Sequence, residues 1–315
     1  MVNNLVSREK MIRAGWSVMV VFVVFTGTSI LLVVPASAQG LIWSLPEDGK
    51  WVRYEGEYKQ TEKGKFDDIE IRPNGVAGNV EVVKVENEKV RSLMWFRHLT
   101  LKSVGEEMAD YNGTQVPCRW IEIKIVTGRE VDGQLDPGPI GAQIYKVLVP
   151  EDREMGKLVD NKSIDPDGIP VSFIPIVKGY RKTGTEPPVE LQAKVLQVYP
   201  TISLLRHYKT FQIDSDQSED PQVEVGAETF VKYKGIYELE STVTHSVHKT
   251  ELWRSDEIPF GLARWRVTID RAKKINSESR TIFEQARAEG TVTTIEVDMI
   301  AREVGTDAKT ELAVP

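Results

Sequence analysis

Thr242-Val-Thr-His-Ser-Val-His-Lys-Thr-Glu-Leu-Trp-Arg254 and Leu262-Ala-Arg-Trp-Arg-Val-Thr-Ile269 decide the fold class. Both are rich in β-branched and aromatic residues with polar ones between, the composition of half-buried antiparallel strands. The acidic Ser255-Asp256-Glu257 turn and the Ile258-Pro259-Phe260-Gly261 step return the chain between them, so the pair reads as a hairpin. The same character recurs upstream at Trp51–Tyr58, Val80–Val85 and Val90–Val104, the last with Leu93, Trp95, Leu99 and Leu101 on one parity. Arg119–Val126 sets Trp120 opposite Ile121, Ile123 and Ile125. Ala142–Val149, Val189–Val198, Ser203–Ile213, Thr229–Leu239 and Thr291–Arg302 continue the series. Helical patterns are confined to Glu151–Val159 and Ser277–Ala288, the second ended by Gly290. The expectation is a mainly β fold: a large curved antiparallel sheet or half-open barrel with few short helices.

Three stretches read as connections. Gly128–Gly141 carries Asp-Gly, Asp-Pro and Gly-Pro dipeptides, and Lys157–Pro188 is rich in proline. Asp214–Gly226 is strongly acidic and is expected to be the most exposed connection. It would serve as a linker or loop between a β-rich first half (39–213) and a β-rich second half (227–315). Tyr54-Glu-Gly56-Glu-Tyr58 recurs as Tyr233-Lys-Gly235-Ile-Tyr237, and Val116-Pro117-Cys118-Arg119-Trp120 is echoed by Ile258-Pro259-Phe260 followed by Arg264-Trp265. Two explanations stand side by side, a duplication giving two related halves or convergence of strand-rich segments on similar strings. A glycine between two tyrosines on one strand face leaves room for a neighbouring backbone or ring.

Upstream of these strands lies an export signal. Arg8, Lys10 and Arg13 form a positive region, Trp16–Val34 is an uncharged, mostly apolar run, and Ala36-Ser37-Ala38 offers the small residues a signal peptidase accepts. Residues 1–38 therefore read as a signal peptide, with a mature chain beginning at Gln39 and a periplasmic or secreted location. The alternative is a retained anchor, the one way this chain would engage a membrane, because about 18 to 20 apolar residues can span a bilayer. Of the 315 residues, 40 are Lys or Arg and 47 Asp or Glu, a net charge of −7. Removing residues 1–38 takes three basic residues and one acidic one away, leaving a mature net charge of −9. That balance argues against nucleic acid as a partner, since phosphate neutralisation needs clustered cations. The single cysteine, Cys118, excludes an intrachain disulfide and a cysteine metal cluster.

The chemistry-bearing motifs are mostly missing. The chain contains no phosphate-binding glycine loop, no H-E-x-x-H and no G-x-S-x-G nucleophile elbow. His245 and His248 have a spacing that would join ligands on a helix, but on a strand it sends the two rings to opposite faces. Ser163-Ile-Asp165-Pro-Asp167-Gly168 imitates the start of a calcium loop, yet Ile174 stands where a bidentate carboxylate is needed, so a plain turn is the better account. Cys118 reads as a buried, inert thiol. No cofactor, metal site or catalytic residue is expected from any of these.

Trp95, Trp120, Trp253 and Trp265 each fall in a strand among apolar neighbours. They fill the core of a wide sheet, or some of them line an apolar groove for an acyl chain or hydrophobic peptide. Glu251-Leu-Trp253-Arg-Ser-Asp-Glu-Ile258-Pro259-Phe-Gly261-Leu-Ala-Arg-Trp265 resembles a late hairpin of the periplasmic lipoprotein-carrier superfamily. That resemblance implies a half-open antiparallel β-barrel with helices over its concave face, carrying lipid or lipoprotein acyl chains. The overall character is also similar to that of secreted proteins of planctomycete-type bacteria. The expected function is that of an exported, non-enzymatic β-rich protein, either binding a lipid or lipoprotein acyl chain or acting as an envelope interaction module. The alternative is an extracytoplasmic hydrolase built on dispersed carboxylates, which requires a cleft holding two acids, one with a raised pKa.

Overall fold

The computed structural model describes residues 40–73, 80–132, 134–151, 174–192, 195–196, 203–205, 212–217, 219–241, 244–273 and 292–314. The export segment 1–38, the Ser163–Gly168 turn, and the helical expectations at 277–288 and, beyond Glu151, at 151–159 lie outside the described residues. The protein is mainly β, as the strand pattern predicts. The strands are β1 (Trp51–Pro73), β2 (Val80–Tyr111), β3 (Thr114–Val131), β4 (Gln134–Asp136), β5 (Gln143–Pro150), β6 (Ile174–Pro175) and β7 (Lys178–Thr183). They continue as β8 (Val189–Glu190), β9 (Val195–Leu196), β10 (Gln212–Ile213), β11 (Val231–Glu240), β12 (Thr244–Arg254), β13 (Leu262–Lys273) and β14 (Val292–Gly305). Twelve of them form one antiparallel sheet in the order β10-β11-β12-β13-β14-β1-β2-β3-β5-β7-β8, with β4 paired to β3, and the sheet does not close into a barrel. β6 and β9 pair separately.

The side-chain period of two sorts every strand into two faces. The register aligns Tyr145, Ile123, Leu101 and Val52 across β5, β3, β2 and β1. Beyond β14, Met299, Trp265, Leu252 and Tyr233 continue the same face through β13, β12 and β11. This core face is capped by Leu41, Ile42 and Trp43, by Ile176, Leu196 and Leu205, and by Ile258 and Phe260, all buried. Tyr54, buried in its middle, sits edge-on to Trp265 with ring centroids 4.9 Å apart, and its hydroxyl donates to the Leu262 carbonyl at 2.9 Å. Burial pushes the Tyr54 phenol far above its ordinary pKa. Each such large side chain taken from water contributes about 1.5–3 kcal/mol.

Gly56 shows why the tyrosine pair needs a glycine between its members. A Cβ there would lie 1.9 Å from the Asp298 carbonyl oxygen of β14, so the close β1–β14 approach requires its absence. That pairing is the seam between the sequence halves: β11–β14 form one meander, and β1, β2, β3 and β5 form the next. Tyr54 and Tyr233 both open their meanders on the core face, whereas Trp120 on β3 faces away from the core and Trp265 on β13 faces into it.

Local expectations are corrected at several places. Ser203–Leu205 are not strand: the Leu205 amide donates to the Ser203 hydroxyl at 3.1 Å and Leu204 has φ +56°, and among the described residues of that segment Gln212–Ile213 are the paired ones. Val189–Val198 breaks into the separate strands β8 and β9. The proline-rich connection contributes β6 and β7. Gly128–Gly141 is no simple loop, because β3 runs on to Val131 and β4 folds back on Arg129–Val131. Asp214–Gly226 is largely exposed among its described residues, as expected, but it lies against the back of the sheet, with the Asp214 side chain 7% exposed and Pro221 buried.

Candidate functional site

The four tryptophans occupy four different surroundings. Trp265 is fully buried in the core face, its indole N–H donating to the Ser203 carbonyl at 3.1 Å. Trp253 is buried on the back face beneath the 214–221 strap, with the cationic groups of Lys232, Arg266 and Arg264 at 5.0, 5.2 and 5.8 Å from its ring. Trp120 belongs to a second, smaller back-face cluster with Cys118, Leu148 and Tyr180, and its indole donates to Glu107 at 3.0 Å. Trp253 also edges a polar pocket of about 410 Å³ under that strap, whereas Trp95 opens onto a larger cavity on the other face. Trp95 is half-buried on the core face and stacks on Tyr58, ring centroids 5.8 Å apart and planes 18° from parallel.

That cavity measures about 710 Å³. Its floor is the far end of the core face, Trp95 and Arg97 from β2 and Ile125, Thr127 and Val131 from β3; its roof is Pro137–Ile140 beyond β4. The roof exists because β4 can fold close. A Cβ on Gly128 would fall 1.8 Å from the Asp136 carbonyl oxygen, and Asp136 accepts from the Gly138 amide at 2.8 Å. Ile125, 7% exposed, joins the cavity to the core, while Val131 and Ile140 at its mouth are 51% and 64% exposed. The guanidinium of Arg97 donates to Thr127 Oγ1 at 3.0 Å and lies 5.8 Å from the Tyr58 ring. Burial lowers its pKa, partly opposed by Tyr58, and Arg129, Asp136 and Gln143 add further polar groups to the cavity's lining. Residue pattern alone missed Arg97, Val131 and Ile140. The Asp132-Gly133 dipeptide favours a two-residue hairpin turn and so hinted at the fold-back after Val131, where Asp132 has φ +51°; nothing local marked Arg97, which β2–β3 pairing brings to the cavity.

The back face carries a larger cavity of about 960 Å³ with a charged lining that includes Arg53, Glu55, His98, Arg264, Asp298 and Arg302. Its arginines are paired. Arg53 bridges Glu55 and Glu303 at 2.8 and 2.6 Å, and Arg264 clasps Asp298 through both nitrogens at 2.8 and 2.6 Å. Burial pushes the Asp298 carboxyl up, but Arg264 and Arg266 more than offset it and hold the group below its usual range. Glu219, hydrogen-bonded by Lys232, is lowered as well. A cleft with one raised and one ionised carboxylate would need the opposite shift on one of its acids.

The remaining sequence candidates have ordinary surroundings. His248 is buried on the core face and His245 half-exposed on the other, so the two imidazoles cannot share an ion. Among the described residues no group of three His, Cys, Asp or Glu side chains is arranged to hold a metal. Cys118 is fully buried, its thiol 3.5 Å from the Val116 carbonyl. Comparison with protein-family models, curated proteins and solved structures finds no match to this chain.

Proposed function

We propose that this protein is a non-enzymatic carrier or receptor for a hydrophobic ligand, a lipid or lipoprotein acyl chain, and that the Trp95 cavity holds it. The observation that carries the reading is the cavity wall. Trp95, Ile125, Val131 and Ile140 extend the apolar core to an open mouth, in a volume within the usual 300–1,000 Å³ range of small-molecule sites. A chain laid there is favoured by about 0.8 kcal/mol for each methylene removed from water, and Trp95 offers a flat apolar surface to it. Export through the N-terminal segment would deliver the protein to the compartment where such ligands are exchanged, and N-terminal sequencing of mature protein should begin at Gln39.

The test is titration with a fluorescent fatty-acid analogue, followed by native mass spectrometry of protein purified from its own host envelope. Trp95→Ala removes the wall and Thr127→Trp fills the space, so each should weaken analogue binding at least tenfold while the cooperative melt is retained. Equal binding by both variants would sink the assignment.

A further inference from the structure

The back face holds a second recognition surface, remote from the ligand cavity and independent of it. Lys102, Glu122 and Lys146 stand directly opposite one another on β2, β3 and β5. Glu122 is completely buried. Residues 306–314 lie across this row without joining the sheet. The amides of Glu311 and Leu312 donate to Glu122 at 2.9 and 3.0 Å, as does the Thr310 hydroxyl at 2.8 Å. Lys102 donates to the Lys309 carbonyl and Lys146 to the Leu312 carbonyl, each at 3.2 Å. Two side chains add selectivity. Leu312 is buried in the cluster around Trp120 and Leu148, and the Glu311 carboxylate is bound by Lys102 and Lys124.

We infer that this row is a peptide-binding groove, occupied in cis by the chain's own C-terminal segment and open in trans to an extended partner peptide with an acidic residue followed by leucine. Capturing main-chain amides and carbonyls with side chains, and reading neighbouring side chains in a pocket and a charged clamp, is how extended peptides are recognised. Because residues 306–314 pair with no strand, they can leave without breaking a sheet hydrogen bond. When it leaves, Glu122 keeps Lys102 at 3.4 Å, so the buried carboxylate is not stranded. Lys124 and Lys146 then give the vacated groove the positive charge that selects an acidic occupant.

The test uses the full chain with Leu312→Asp, whose tail cannot seat, and a fluorescein-labelled synthetic peptide with the sequence of residues 306–314. Anisotropy should show the peptide binding this variant at least tenfold more tightly than unmodified protein. Adding Glu122→Gln should cost at least tenfold of that affinity, and a peptide carrying aspartate in place of its leucine should not bind. A folded Leu312→Asp protein that ignores the peptide overturns the proposal, as does a tail-dependent dimer in native mass spectrometry, which would mean exchange between copies. If Leu312→Asp loses its cooperative melt, amide exchange of the unmodified protein decides. Glu311 and Leu312 amides exchanging ahead of the β3 ladder support a displaceable tail; exchange only on global unfolding refutes it.

Discussion

Two glycines with near-identical crowding should respond to the same substitution by very different amounts. A Cβ on Gly56 would lie 1.9 Å from the Asp298 carbonyl oxygen and 2.8 Å from the Met299 sulfur; one on Gly128 would lie 1.8 Å from the Asp136 carbonyl oxygen. Each is about 1.5 Å or more inside contact distance, and the obstacle is backbone, which cannot rotate away. Gly56→Ala must force β1 and β14 apart at the seam of the two meanders, where the ladder runs from Trp51 to Lys63. Losing two or three ladder hydrogen bonds at about 1 kcal/mol each, with about 1–3 kcal/mol of overpacking, puts the cost near ~3–6 kcal/mol. Gly128→Ala displaces only β4, which pairs through three residues at the sheet's periphery, so its cost should stay near ~1–2 kcal/mol. It should nevertheless lift the cavity roof and abolish fatty-acid-analogue binding. Urea unfolding followed by tryptophan fluorescence, with analogue titration alongside, measures both. If Gly56→Ala costs under about 1 kcal/mol, or Gly128→Ala leaves the analogue's affinity unchanged, the close-approach reasoning is wrong.

Three further outcomes follow from the packing. Asp298, Glu219 and Glu311 are held below the usual carboxylate range in the folded protein, so the stability they contribute is full above the ordinary carboxylate pKa. It drains as the pH falls through their lowered folded values, so the urea midpoint should be level above about pH 5 and drop below about pH 4, with a shallower drop in Asp298→Asn. Tyr54→Phe removes a buried donor to the Leu262 carbonyl and should cost about 1–2 kcal/mol, read as a Tm lowered by roughly 2–6 °C in calorimetry. Cys118 should resist a thiol-specific reagent in native buffer and react fully in urea, because its sulfur is completely buried; rapid native labelling would contradict that placement.

Much of the fold was legible because strands announce themselves locally. The parity of Leu99 and Leu101, and of Ile121, Ile123 and Ile125, is the parity of the core face, and the separation of His245 from His248 needed only the period of two. Gly56 between its tyrosines likewise marked a crowded strand pairing before any partner was known. The candidate site was less legible. Ile125 stood in the pattern and Asp132-Gly133 hinted at a turn, but no local signal told that the segment beyond β4 would close over Ile125, since that depends on a fold-back across Gly128.

The alternation of residues thus determined on its own that the chain is an antiparallel sheet and where most strands run, since that information lies within a few residues of each position. Only the tertiary structure decided which face each tryptophan meets and what the charged segments do. Asp214–Gly226 looked solvated because its acids have no cation near them in sequence; Lys232 and Lys234 from β11 and Arg266 from β13 reach Asp214 and Glu219. The C-terminal residues have no pattern of their own, and their place over Glu122 is set by a row of side chains that three strands bring together only when their register is complete. Register is a property of pairs distant in sequence, and a one-residue slip would turn every one of those side chains to the other face.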